Sequence, residues 1–147
     1  MTPSLYLTLL GGFQVRSPAD VAIAIPVKKA KALLAYLALH PGQPHLRDKL
    51  AALLWDDSGE AQARHSLRQA LVCLRKTFPQ SAHVIAAVGD ALTIPPEAVE
   101  VDALTFERLL QAGTPDGLEQ AVALYQGELL EGFNPGAASF EEWLMER

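Results

Sequence analysis

The chain has 147 residues, half of them hydrophobic, with 20% charged residues and a net charge of −5. This excludes a disordered chain, which would be less apolar and more charged, and it suffices for one ordinary core or for a small domain plus part of another. The single cysteine, Cys73, excludes a disulfide framework or a cysteine-type zinc site within the chain and fits a reducing, cytoplasmic location.

The N-terminal segment MTPSLYLTLLGGF lacks a basic n-region and has only a short apolar run, so it reads neither as a signal peptide nor as a membrane span. Within it, residues 4–10 alternate Leu5, Leu7 and Leu9 against Tyr6, Thr8 and Leu10, a strand pattern. Gly11-Gly12 interrupts it, Phe13–Arg16 resumes it, and Ser17–Asp20 is a turn. Val21–Ile25 alternates again and Pro26 ends it. These pieces predict a small antiparallel sheet.

Lys28–Leu39 predicts a helix with Ala30, Leu33, Leu34 and Leu37 as its apolar seam. Three lysines crowd its first turn, where cations oppose the helix dipole, so either a partner keeps them or they are simply solvated. After the loop His40–Pro44, residues His45–Trp55 predict a second short helix with Leu46, Leu50, Leu53 and Leu54 inward. Asp56-Asp57-Ser58-Gly59 is a polar break whose residues suit the N-cap of the next helix.

That next helix, Glu60–Phe78, has two unlike faces. At 3.6 residues per turn, Ala63, Leu67, Ala70, Leu71, Leu74 and Phe78 form one apolar stripe. Arg64, Arg68 and Arg75 border it, and His65, Gln69 and Lys76 lie further round. Such donors reach phosphates and base edges in a DNA major groove. The candidate DNA-binding residues are therefore Arg64, Arg68, His65, Gln69, Arg75 and Lys76, with Arg47 and Lys49 of the preceding helix as backbone contacts. Arg75 could instead pair with Asp48 or Asp56. Pro79 stops the helix. His83–Val88 and Ala91–Ile94 flank Gly89-Asp90, a hairpin signal, closed by Pro95-Pro96.

The remainder predicts helices at Asp102–Ala112 and Gly117–Leu130, then a Gly/Asn/Pro-rich loop and a helix from near Ser139. The first seam is Phe106, Leu109 and Leu110. The second is Leu118, Ala121, Val122, Leu124, Tyr125 and Leu129. The last helix carries Phe140, Trp143 and Leu144 on a side left without a partner, which suggests a longer parent protein.

Charge divides along the same line. Residues 28–76 hold nine Lys and Arg against four Asp and Glu, a net +5, whereas residues 101–147 hold two against nine, a net −7. Attraction to phosphate depends on the local field within roughly 10 Å at moderate salt, so a basic module attached to an acidic one can bind DNA. The sign change near residue 100 suggests a boundary, giving 1–97 and 98–147 as domains.

Strands, three helices and a hairpin are the order of a winged helix-turn-helix, whose third helix enters the major groove beside a hairpin wing. The segments LLGGFQV, KKAKALLAYLALHPGQ, RDKLAALLWDD, ARHSLRQALVCLRK, YQGELLEGF and FEEWL resemble the bacterial transcriptional activators of the SARP type. The resemblance covers nearly the whole chain. It implies an α+β OmpR-like winged helix followed by the start of an all-α, TPR-like bacterial transcriptional activation domain. It also implies a regulator that binds tandem direct repeats in double-stranded DNA, often as a homodimer, and contacts RNA polymerase, with further modules C-terminally. Arg64, Arg68 and Arg75 match the basic positions of the family's recognition helix. Two positions depart from the pattern: Val72-Cys73 replaces a small polar residue followed by Arg, and Ala91 replaces the aromatic after the wing turn.

An enzyme is not expected. His40, His45, His65 and His83 lack metalloprotease spacing, no glycine-rich phosphate loop is present, and no cofactor or metal site is read. Cys73 reads as a half-buried packing residue, and Trp55 and Trp143 read as core anchors. The alternative is a winged fold that has lost DNA binding and serves as an interaction or sensor module of a larger signalling protein.

Overall fold

The structure, a computed structural model, describes residues 3–78 and 84–147. Pro79 and His83, the predicted helix stop and hairpin start, lie outside the described residues. Strand β1 (Leu5–Thr8) pairs antiparallel with β2 (Gln14–Arg16), with Leu7 opposite Val15. Leu5, Leu7 and Leu9 are buried as the alternation predicts. Val21–Ile25 is not a strand; it makes one isolated bridge, Arg16 to Ala22. The third strand comes instead from β6 (Val99–Val101), which runs parallel to β1 with Tyr6 opposite Glu100. The N-terminal sheet is thus mixed, where an antiparallel one was expected, and it is completed by chain that follows the wing.

Helix α1 (Lys28–Leu39) has its expected bounds. Ala32, Ala35 and Ala38 are buried along with Ala30, Leu33, Leu34 and Leu37. A helix apolar nearly all round belongs in the middle of a core, and α1 packs against α2 (Arg47–Leu54), α3 (Glu60–Thr77) and β6.

Helix α2 begins at Arg47, two positions later than expected. His45–Leu46 forms β3, paired with β5 (Ala91–Thr93), which in turn pairs with β4 (Ala86–Val88). Leu46 consequently stays exposed, correcting its inward assignment, while Leu50 and Leu54 are buried. The backbone hydrogen bonds that β5 offers to His45 and Leu46 outcompete a first helical turn. In the β4–β5 hairpin, Val88 opposite Ala91 leaves a two-residue turn, and Gly89 supplies its positive φ of 59°.

Helix α4 (Asp102–Ala112) matches its predicted span. The Asp102 carboxylate accepts from the backbone N–H groups of Leu9 (2.7 Å) and Leu10 (3.0 Å), fastening α4 to the end of β1. Helix α5 spans Pro115–Leu124, so it ends well short of Leu130. Thr114 caps it by accepting from the Gly117 N–H. Beyond it the chain turns back against the segment after β1: Leu130 N–H donates to Leu9 carbonyl (2.7 Å) and Gly11 N–H to Glu128 carbonyl (2.8 Å). A Cβ on Gly127 would lie 2.9 Å from Gly11 Cα, so two glycines let these backbones cross. The expected α5 seam is largely solvent-facing, with Leu118, Val122 and Tyr125 exposed and Ala121 buried; on α4, Leu110 of the other expected seam is exposed too.

Helix α6 (Ala138–Glu146) is not left with an unpartnered aromatic side. Phe140 is fully buried in the cluster that also holds Leu33, Leu50 and Leu67. Trp143 meets Tyr36 edge-on, with ring centroids 4.8 Å apart, and lies 5.6 Å from His40. One continuous apolar cluster therefore includes residues from both sides of position 97.

Candidate nucleic-acid interface

The turn Trp55–Gly59 joins α2 to α3, closed by Ser58 N–H donating to Trp55 carbonyl (3.1 Å). The α3 N-cap is Gly59, with no side-chain cap bond. Asp56 does not cap α3 as expected. Its carboxylate accepts from the Ser139 N–H at 2.8 Å and so caps the first turn of α6. That bond, reinforced by the Ser139 side chain and Lys29 nearby, holds the Asp56 carboxyl below the ordinary carboxylate value. Asp56 therefore couples the helix-turn-helix to the C-terminal helix.

All six apolar positions predicted on the inward stripe, from Ala63 to Phe78, are buried. Burying that stripe leaves the other face of α3 open. Arg64, His65, Arg68, Gln69, Arg75 and Lys76 are exposed, as is Lys49; Arg47 is half-buried at the start of α2. The wing turn lies beside Arg47, Arg64 and Arg68, where Arg47 N–H donates to Asp90 carbonyl (3.0 Å). A cleft of about 210 Å³ between α2, α3 and the wing is lined by Arg47, Asp48, Arg64, Leu67, Arg68 and Asp90.

Arg64 is not free within this cleft. Its Nε and Nη2 donate to the two carboxylate oxygens of Asp48 at 2.8 and 3.1 Å, a bidentate pair. Hydrogen bonding and charge from Asp48 raise the guanidinium pKa above its ordinary value. The side chain nonetheless keeps 51% of its surface exposed. The alternative pairing of Arg75 with Asp48 or Asp56 does not occur: Asp48 holds Arg64 and Asp56 holds Ser139. No local spacing signals the Asp48–Arg64 pair, because its members sit on different helices.

On the opposite flank of α3, a groove of about 800 Å³ runs to the start of α1, lined among others by Lys28, His65, Gln69, Val72 and Lys76. The lysine crowding has a structural answer in part. Lys29 Nζ sits 5.7 Å from the Trp55 ring centroid and Lys31 Nζ 5.7 Å from that of Phe13, a favourable cation–π distance. Lys28 remains exposed. Cys73 is half-buried, as expected, and Trp55 is buried. Among the described residues no cluster of three or more His, Cys, Asp or Glu is arranged to hold a metal ion. No described helix is long and apolar enough to cross a membrane.

No protein-family model and no curated protein matches the sequence. Solved structures do match. The chain shares its fold with EmbR. The Mycobacterium tuberculosis EmbR structure, determined in complex with a low-affinity phosphopeptide, superposes with a TM-score of 0.79 at 21% sequence identity. The match takes in 97% of this chain but 41% of the EmbR chain. At that identity the likeness is one of fold: an EmbR-like, mixed α/β winged helix with small sheets, extended by helices after the wing.

Proposed function

We propose that this chain is the DNA-binding part of a SARP-type transcriptional regulator, and that it uses α3 in the major groove with the β4–β5 hairpin as wing. The observation that carries this reading is the divided α3. Its apolar stripe is wholly buried, while Arg68, His65, Gln69, Arg75 and Lys76 stay in solvent, Arg68 beside the wing. Arg68, Arg75 and Lys76 supply charge to phosphates; His65 and Gln69 reach base edges. Arg47 and Lys49 contact the backbone from α2. Arg64, oriented by Asp48, takes part as a positioned donor. The EmbR-like fold supports the reading.

In this reading residues 1–97 form the DNA-binding unit and residues 98–147 begin a TPR-like activation domain. Tandem direct repeats, a homodimer on DNA and RNA polymerase are the partners. The location is cytoplasmic and the role is not enzymatic.

The test is binding to mixed duplex DNA across a salt series. Log affinity is expected to fall linearly with log salt, by about 0.9 per neutralised phosphate. Affinity that is absent or flat in salt rejects the proposal. A second reading, an interaction or sensor module without DNA binding, is favoured by the Asp48–Arg64 pair, which neutralises one of the best-placed cations. The same titration separates the two.

A further inference from the structure

Val72 lies on the solvent face of α3 with 40% of its surface exposed. One helical turn to either side stand Arg68, Gln69, Arg75 and Lys76, all exposed. A β-branched residue has no propensity advantage in a helix, and this one adds nothing to the core stripe on the other face. Its exposed apolar surface lies among the donors that would meet DNA. On the base edges of the major groove the apolar feature is the thymine 5-methyl group, and a glutamine amide pairs in bidentate fashion with adenine N6 and N7. Residues three apart on a helix have Cβ atoms about 5–6 Å apart, a span of one to two base-pair steps at about 3.4 Å each.

We infer that Val72 is a specificity-determining residue that packs on a thymine methyl, with Gln69 reading an adenine within one or two base pairs of it. This rests on the DNA-binding reading above and adds to it the base class read at the centre of α3.

The test begins with selection of bound duplexes from a random pool by the whole chain. Thymines of the selected duplex are then replaced one at a time by deoxyuridine, which removes only the 5-methyl. One replacement is expected to weaken wild-type binding about fourfold, the effect of one buried methyl-sized group. Val72→Ala is expected to bind the thymine and deoxyuridine duplexes equally, with Val72→Thr as a control of similar shape. Gln69→Ala is expected to lose its preference for adenine at the neighbouring position. Wild-type binding that is indifferent to every deoxyuridine, or a Val72→Ala protein that keeps the methyl effect, overturns this inference and leaves DNA binding standing. Failure to select any duplex overturns both.

Discussion

Asp48 grips Arg64 across the α2–α3 turn through two parallel hydrogen bonds, so the first basic side chain of the proposed recognition helix has its charge compensated within the protein. The pair is exposed, and exposed pairs contribute little to stability. Its effect falls on binding. Asp48→Asn is expected to leave the melting temperature nearly unchanged and to tighten non-specific duplex binding. The salt slope should steepen by about 0.9 if Arg64 then neutralises one more phosphate. An unchanged slope in a salt titration means that Arg64 does not face phosphate even when released.

Arg68 has no such carboxylate among the described residues and lines the cleft beside the wing. Arg68→Ala is expected to weaken duplex binding and reduce the salt slope by about 0.9, with little change in melting temperature. Arg64→Ala should lower affinity less, since its charge is already paired. A large loss of melting temperature in Arg68→Ala would assign that side chain to packing instead.

Asp56→Ala removes the carboxylate that caps α6 at Ser139. N-cap losses run near 1 kcal/mol, and the solvent exposure of Asp56 puts this one at or below that figure. The Ser139 hydrogen bond lowers the folded-state pKa of Asp56 from 3.8. Its contribution is therefore full above that value and is lost as pH falls through the lower folded-state value. Denaturant midpoints of wild type and Asp56→Ala are expected to differ at pH 7 and to converge in strong acid.

His40 predicts a second pH dependence. Burial lowers its pKa from 6.5; the Tyr36 carbonyl, which accepts from Nδ1 at 2.8 Å, opposes that shift, and the charges of Arg147 and His45 add to it. A folded-state pKa below the unfolded one contributes stability that is complete above 6.5 and declines as pH falls. The melting temperature should drop between pH 7.5 and pH 5.5, and His40→Asn, which can still donate to Tyr36, should reduce that drop. The contacts of Trp143 with Tyr36 and His40 make indole fluorescence a suitable probe. Equal pH sensitivity in the variant would assign the effect to other groups.

Gly127→Ala would force a Cβ to 2.9 Å from Gly11 Cα. The Glu131 carboxylate, 3.1 Å away, can swing aside, but Gly11 Cα is backbone and cannot be cleared by a rotamer change. A loss of about 1–3 kcal/mol is expected, in the range of overpacked sites, read from urea unfolding.

Local pattern was legible. Lys28–Leu39 and Asp102–Ala112 occur with the expected bounds, and the α3 stripe is buried at every predicted position. Each rests on a period repeated over several turns. The two-residue strand His45–Leu46 carries no such signal, and it exists because β5 lies alongside to receive it. The shortfall of α5 at Leu124 has a similar origin: the chain after it bonds to Leu9 and Gly11, far away in sequence.

By itself, the sequence determined the bounds of the helices Lys28–Leu39 and Asp102–Ala112, which stripe of α3 is oily and which residues form its polar face, since side-chain periodicity is a property of neighbouring positions. Only the tertiary structure decided that Val99–Val101 completes the first sheet and that Asp102 fastens it to α4. It also decided that Asp48 belongs to Arg64 and that Phe140 closes the core against α2. Those partners are brought together by the burial of apolar surface, and no spacing along the chain encodes which hydrogen-bonding groups that burial sets face to face.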